Sequence, residues 1–222
     1  MTNLEVFYGD FHVLHGVSLK VAPGEAAGLV AANGHGKSTL LKAVCGLIPT
    51  RSGEVVFAGE RVTGLGAPDL VARGLVYVAE ERHLFPDMTV RENLLLGAYL
   101  PAAWKVRNRN LDSVFGLYPR LKERQRQLAR TLSGGEAQML ALGRGLMSAA
   151  KFMAIDEPSL GLAPNLVQTM FQTVKHINEF GMTILLVEQS LAQLEGVLGR
   201  VYRLEEGRIV DEGAPPTRGK QP

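Results

Sequence analysis

The chain predicts an α/β fold with a helical insert, on three observations. An apolar run, Ala26 to Val30, feeds a glycine-broken turn, and an apolar-periodic segment follows from Ser38. A second buried run, Phe152 to Ile155, stops at Asp156-Glu157-Pro158. Between these two the composition turns from strand-like to helical, which places a helical subdomain at about 87–148, inside a core of 1–86 and 149–213. A length of 222 residues suits one large domain with such an insert and leaves ample core.

The first of these stretches reads GLVAANGHGKSTLL from Gly28 to Leu41 and has the strand–loop–helix context of a phosphate-binding loop. Successive backbone N–H groups of Ala31, Ala32, Asn33, Gly34, His35 and Gly36 would form a concave anion site at a helix N-terminus. Gly34 and Gly36 let backbone approach phosphate with no Cβ in the way. Lys37 would reach the outer phosphates, the Ser38 hydroxyl would ligate Mg2+, and Thr39 follows in the same turn. The usual pattern is G-x-x-x-x-G-K-[ST], and Ala31 stands at its first glycine. If that position needs a positive φ, alanine there costs about 1 kcal/mol and lowers affinity.

Composition excludes several classes. The formal net charge of +2 supplies no domain-wide basic excess for nucleic acid. One cysteine, Cys45, rules out an internal disulfide framework and suits a reducing compartment. No cationic segment with an apolar core opens the chain, and the longest apolar stretches fall well short of the ~20 residues that span a bilayer. A soluble, cytoplasmic chain is expected, with any membrane role coming through a partner. Nor does any cluster of histidine, cysteine and carboxylate have metal-site spacing.

In order, Leu4 to Tyr8 alternates as a strand, and Val13 to Val21 gives a second, closed by Pro23-Gly24. The helix from Ser38 stops at Gly46. Gly53 to Val62 reads as a hairpin around Ala58-Gly59, Asp69 to Arg73 as a short helix and Leu75 to Val78 as a strand. Helix formers run from Val90 to about Tyr99 and again from Leu111 to Ala129, broken into pieces at Gly97, Pro101, Gly116 and Pro119, and the basic run Lys122 to Arg130 is most simply a solvated helix face. Leu132-Ser133-Gly134-Gly135-Glu136 then opens a helix. A capping box explains Ser133 and Glu136, but not two consecutive glycines, which cost backbone entropy unless something approaches closely. Asp156 and Glu157 close a buried strand, where acids are expensive unless they serve a cation or a reaction. Asp156 is placed to hold Mg2+, and Glu157 is free to polarise an attacking water. Pro164 opens a helix to about Glu179, Thr183 to Val187 is a buried strand before Glu188-Gln189, and a helix over Leu191 to Leu198 precedes a strand pair, Val201–Leu204 and Arg208–Val210. The tail after Gly213 is expected to be disordered.

Four motifs therefore stand in order: the phosphate loop at 31–38, LSGGE at 132–136, DEP at 156–158 and LLVEQ at 185–189. Together they resemble the nucleotide-binding subunit of an ATP-binding cassette transporter, over nearly the whole chain to about Gly213, and LSGGE is highly specific to that family. The resemblance implies a P-loop core with a mixed, RecA-like sheet flanked by helices, an added antiparallel β subdomain and the inserted helical one. It implies ATP and Mg2+ as ligands, with Tyr8 stacking on adenine and Mg2+ held by Ser38, Glu80 and Asp156. Lys37, Glu157 and Gln189 would serve hydrolysis, Glu157 as the base. Ser133, Gly134 and Gly135, within Leu132 to Glu136, would bind ATP held by a second subunit, identical or homologous, so that two subunits sandwich two nucleotides, with Ser159 to Leu162 facing the partner's site. Two transmembrane permease subunits and, indirectly, a substrate-binding protein complete the implied assembly, peripheral on the cytoplasmic membrane face.

Glu80 falls where most of the family has glutamine, and Gln189 where most have histidine. Both are similar to one ATPase branch of branched-chain amino acid importers, as are FPDMTVRENLLLGA, LSGGEAQMLALGR and DEPSLGLAP. Ala79 and Glu81 depart from that branch, which usually has proline and glycine there. Importers of urea and short amides have closely similar ATPases, and a soluble cassette ATPase or a small P-loop kinase are the alternatives from other classes. A kinase would leave LSGGE unexplained.

Overall fold

In the computed structural model, residues 1–190 and 198–214 are described. Three strands open an antiparallel sheet: β1 (Thr2–Tyr8), β2 (Phe11–Val17) and β4 (Ser52–Glu54), in the order β2-β1-β4. Between them lie β3 (Ala26–Val30) and helix α1 (Lys37–Val44). A two-stranded hairpin, β5 (Val56–Phe57) with β6 (Glu60–Arg61), turns at Ala58-Gly59, and α2 (Ala67–Arg73) and β7 (Leu75–Val78) follow. Five helices come next: α3 (Val90–Gly97), α4 (Pro101–Lys105), α5 (Arg107–Leu117), α6 (Pro119–Glu123) and α7 (Gly134–Leu146). The chain closes through β8 (Phe152–Asp156), α8 (Pro164–Glu179), β9 (Thr183–Glu188), β10 (Arg200–Glu205) and β11 (Arg208–Gly213).

The principal sheet has six strands in the order β11-β10-β3-β9-β8-β7, parallel from β10 to β7 with β11 antiparallel at the edge. Its central strands are buried on both faces, and alternate residues supply two separate cores. Val30, Ile155, Ile184 and Leu186 face the core shared with α3, α5, α7 and α8. Ala27, Leu29, Ala154, Leu185 and Val187 face the core shared with α1 and the β1–β2 sheet. Because the parallel strands β3, β8 and β9 run together, their carboxyl ends deliver residues 31, 157 and 189 to one edge.

Several expectations are corrected. The second strand ends at Val17, not Val21. Residues 52–54 pair with β1, so the turn-back starts at Val55, whose carbonyl accepts from Val62, and not at Gly53. The helix-rich segment 111–129 breaks at Pro119 as expected, but its helix ends at Glu123 and not near Ala129. A short 3-10 turn at Ala129–Thr131 follows, so the basic run 122–130 is mostly not a helix face. The helix over Leu191 to Leu198 and the tail fall almost wholly outside the described residues.

Candidate active site

The phosphate loop follows β3 and takes its shape from its glycines. Gly34 has φ +81° and Gly36 +97°, and a Cβ at Gly36 would stand 2.8 Å from the Leu14 methyl on β2. Ala31 is absent from the positive-φ residues and is buried, so its Cβ carries no backbone strain, and the expected affinity loss has no structural cause. Its N–H donates to the Glu188 carbonyl at 3.3 Å, which ties the loop entrance to β9. His35 is held outward: its Nδ1 accepts the Glu206 N–H at 3.1 Å and its carbonyl accepts from Gly207. Gly36 caps α1 with no side chain, leaving the first-turn N–H groups of Lys37, Ser38 and Thr39 facing the cavity.

Lys37 is buried, and its ammonium donates to the Ala31 carbonyl at 2.8 Å and the Asn33 side chain at 3.2 Å. It also pairs with Glu157 Oε1 at 2.8 Å. Glu157 is itself in an unfavourable backbone conformation, φ +41°, anchored by its N–H on the Val187 carbonyl. Gln189 Nε2 donates to its other oxygen, Oε2. Both carboxylate oxygens are thus engaged. Glu157 is not free, as the sequence suggested, but held between Lys37 and Gln189.

Asp156 lies one layer beneath. Tyr77 donates its hydroxyl to Oδ2 at 2.9 Å, while Oδ1 is buried with no hydrogen-bond partner. Burial raises the Asp156 pKa against the opposing pull of the nearby Ser38 and Tyr77 hydroxyls. Glu80, after β7, is likewise raised, by burial first and then by the charges of Glu157 and Asp156. These shifts mark a place where negative charge is concentrated and a cation is wanted.

An open cavity of about 480 Å³ collects most of the expected residues: Tyr8, Asn33, Gly34, Gly36, Lys37, Ser38, Thr39, Glu80, Glu157 and Gln189. Tyr8 stands half-exposed at its rim beside Phe11. Leu132 to Glu136 do not line this cavity. Ser133 caps α7, accepting the Glu136 N–H, and Glu136 pairs with Arg124 at 2.8 Å. One of the two glycines has an internal reason: a Cβ at Gly135 would meet Leu166 at 2.6 Å, whereas Gly134 has nothing nearer than Arg82 at 4.0 Å. Gly134 alone of the pair has no internal contact that asks for glycine. Cys45 is buried and its thiol pKa is pushed up, which fits an inert packing residue.

Sequence reasoning missed Tyr77, Glu188 and Arg144. Tyr77 was hidden as one more apolar-looking residue of a strand. Glu188 carried the same signal as Asp156, a carboxylate ending a buried strand. It accepts the Ser159 N–H at 3.1 Å, and burial pushes its pKa up to about 7. Arg144 carries no sequence signal beyond that of a basic residue in the last turn of α7. Among the described residues no helix is long and apolar enough to cross a membrane.

The ABC transporter family description matches residues 14–160. The chain is 43% identical over 215 residues to the high-affinity branched-chain amino acid transport ATP-binding protein BraG of Pseudomonas aeruginosa, covering 95% of this chain and 91% of that one. It is 33% identical to the probable branched-chain amino acid transport ATP-binding protein LivF of Archaeoglobus fulgidus, covering 95% and 89%. Among solved structures it matches the ADP conformation of an ATP-binding cassette of an ABC transporter, with a TM-score of 0.82, 28% identity and coverage of 96% and 89%.

Proposed function

The chain belongs to the ABC transporter family as an ATP-hydrolysing subunit, and we propose that it energises a membrane importer for branched-chain and related hydrophobic amino acids. The observation that carries the site reading is the convergence of Lys37, Ser38, Glu80, Glu157 and Gln189 on one cavity, above a buried Asp156 with an unpartnered oxygen. The substrate reading is supported by the relatives BraG and LivF, both named for branched-chain amino acid transport.

In this proposal Tyr8 stacks on adenine, and the loop N–H groups and Lys37 take the phosphates. Ser38, Asp156 and Glu80 would hold Mg2+, which supplies neutralisation of phosphate charge when bound. The orphaned Asp156 Oδ1 fits a cation or its water. Lys37 is the pivot. As it turns to a phosphate oxygen it releases Glu157 Oε1, while Gln189 keeps Oε2 in place. The freed oxygen can then accept a proton from an attacking water, so the base is exposed only when Lys37 has a phosphate to bind. Gln189 hydrogen-bonds but does not titrate and so cannot take up a proton near neutral pH, which leaves the base role with Glu157.

Leu132 to Glu136 serve the nucleotide of a second ATPase subunit, identical or homologous, in a head-to-tail sandwich. Closure of the pair moves two permease subunits docked against the core and the helical subdomain of residues 87–148. A substrate-binding protein delivers cargo from the other side, and the ATPase sits peripherally on the cytoplasmic face. The test is uptake of labelled leucine, with urea alongside, in the source cell lacking this chain and restored with wild type or Lys37→Ala. Leucine uptake rescued by wild type alone is expected. Rescue of urea uptake only, or of neither, overturns the substrate assignment.

A further inference from the structure

The segment leaving β7 carries Glu80 and then adopts two successive left-handed conformations without glycine, Arg82 at φ 62° and His83 at φ 44°. Side chains with a Cβ disfavour that region, so the surroundings must impose it. A local turn contributes, with the Arg82 N–H on the Ala79 carbonyl at 3.0 Å and the His83 N–H on the Glu81 carbonyl at 2.6 Å, and Arg144 of α7 adds the long-range hold. Its guanidinium donates to the Arg82 carbonyl at 2.8 Å and to the His83 carbonyl at 2.7 Å. Arg82 in turn donates from Nε to Gln138, also on α7, at 2.8 Å. Arg144 thereby grips two adjacent peptide units, and Gln138 of the same helix holds the Arg82 side chain.

The grip has a fixed base. A Cβ at Gly97 of α3 would lie 2.0 Å from the Arg144 carbonyl, and one at Gly145 3.1 Å from Met153 on β8, so both neighbours pack directly on α7. The far end of the segment is fixed as well, since Asn93 accepts from the Phe85 N–H at 2.9 Å. Glu80 therefore leads into a strained segment whose shape is held in part by the helix that begins at Gly134.

We propose that Arg144 is a positioning residue that couples the Glu80 segment to α7, so that Glu80 and the 132–136 motif move as one body when phosphate engages the site. This rests on the reading of Glu80 and of 132–136 as nucleotide-contacting groups. A guanidinium is suited to the role because its rigid planar fork fixes two carbonyls relative to each other, whereas a lysine ammonium is a rotatable point donor.

The test uses the full chain in a Glu157→Gln background, in which ATP should hold the dimer closed. Arg144→Ala should weaken ATP-driven dimerisation, read by sedimentation, about tenfold or more, as expected for two lost charge-assisted bonds. Binding of a fluorescent ATP analogue to the monomer should stay within about twofold, since Arg144 does not touch the cavity. In the nucleotide-free protein, amides 82–85 should exchange about tenfold faster. Arg144→Lys should fall between, which guards against a variant that merely misfolds. Adding His83→Gly to Arg144→Ala should restore part of the dimerisation, because glycine holds the left-handed conformation unaided; a packing role for Arg144 would not be rescued this way. Parent-like dimerisation in Arg144→Ala, or no rescue by the glycine, overturns the coupling. A Glu157→Gln parent that never dimerises with ATP removes the sandwich reading itself, and the coupling with it.

Discussion

Two loops meet at the carboxyl edge of the sheet, and they are shaped in opposite ways. In the phosphate loop the positive φ angles fall on glycines, Gly34 and Gly36, and Lys37 is held by Ala31 and Asn33 a few residues away. In the loop after β7 they fall on Arg82 and His83, held by residues 56 to 62 positions further along the chain. The first takes its sharpest turns from its own glycines, with Glu157, Glu188 and Glu206 as anchors from outside. The second combines a local turn over Ala79 to His83 with the hold of α7 packed beside it. A phosphate site should be present before any partner arrives, whereas a segment coupled to helix position gains by taking part of its shape from that helix.

The sharpest way to break this comparison is Asn93→Ala. Asn93 is fully buried and accepts from the Phe85 N–H while donating to the carbonyls of Phe85, Met88 and Thr89. Removal leaves those groups without their partner and should cost about 3 kcal/mol. For a chain of this size that lowers the melting temperature by roughly 6–12 °C. A loss under about 0.5 kcal/mol would mean that the second loop holds itself together, and the contrast with the phosphate loop would disappear.

The same contrast explains what could be read from the sequence. The phosphate loop, the LSGGE cap and the strand-terminal acids were legible because glycine spacing, capping boxes and charge at a buried strand end are local signals. The Glu80 loop was not, since nothing in Glu-Glu-Arg-His announces two left-handed residues; their long-range hold is a guanidinium on α7. Tyr77 escaped for a related reason: only the pairing of β7 with β8 brings its hydroxyl to Asp156. The break of the helix after Tyr118 was partly visible in Pro119, but the end at Glu123 depends on packing. Glutamate 157 shows the limit most clearly. Its type and place were evident, yet its engagement by Lys37 and Gln189 needed three strand ends brought together.

Glu188 joins the two kinds of loop, and its titration sharpens the point. Its carbonyl accepts from Ala31 in the phosphate loop, and its carboxylate from Ser159, two residues beyond Glu157. Burial pushes its pKa up to about 7, so the folded protein keeps a proton that the unfolded chain releases near the ordinary carboxylate value. Its contribution is therefore fully present below about pH 4.5 and is lost as pH rises through about 7. Glu188→Gln cannot titrate. Relative to that variant, the wild type should lose on the order of 2 kcal/mol between pH 5 and 8, measured by urea unfolding at each pH. A difference that stays flat across this window would show that Glu188 is charged throughout.

The smallest effect is expected at the position where the sequence pattern is broken. Pattern alone says that Ala31→Gly restores the usual first glycine and should tighten nucleotide binding. The structure says otherwise. Ala31 is 3% exposed, has no positive φ, and its methyl packs in the core shared by Leu29, Leu40 and Val187. Glycine there relieves nothing, removes a buried methyl and loosens the unfolded chain, a destabilisation of about 1 kcal/mol. Affinity for a fluorescent ATP analogue should change by less than about twofold, because the N–H that meets Glu188 is kept. A several-fold gain in affinity would show that the loop is strained at its entrance after all, and that its shape is less locally determined than the glycines at 34 and 36 imply.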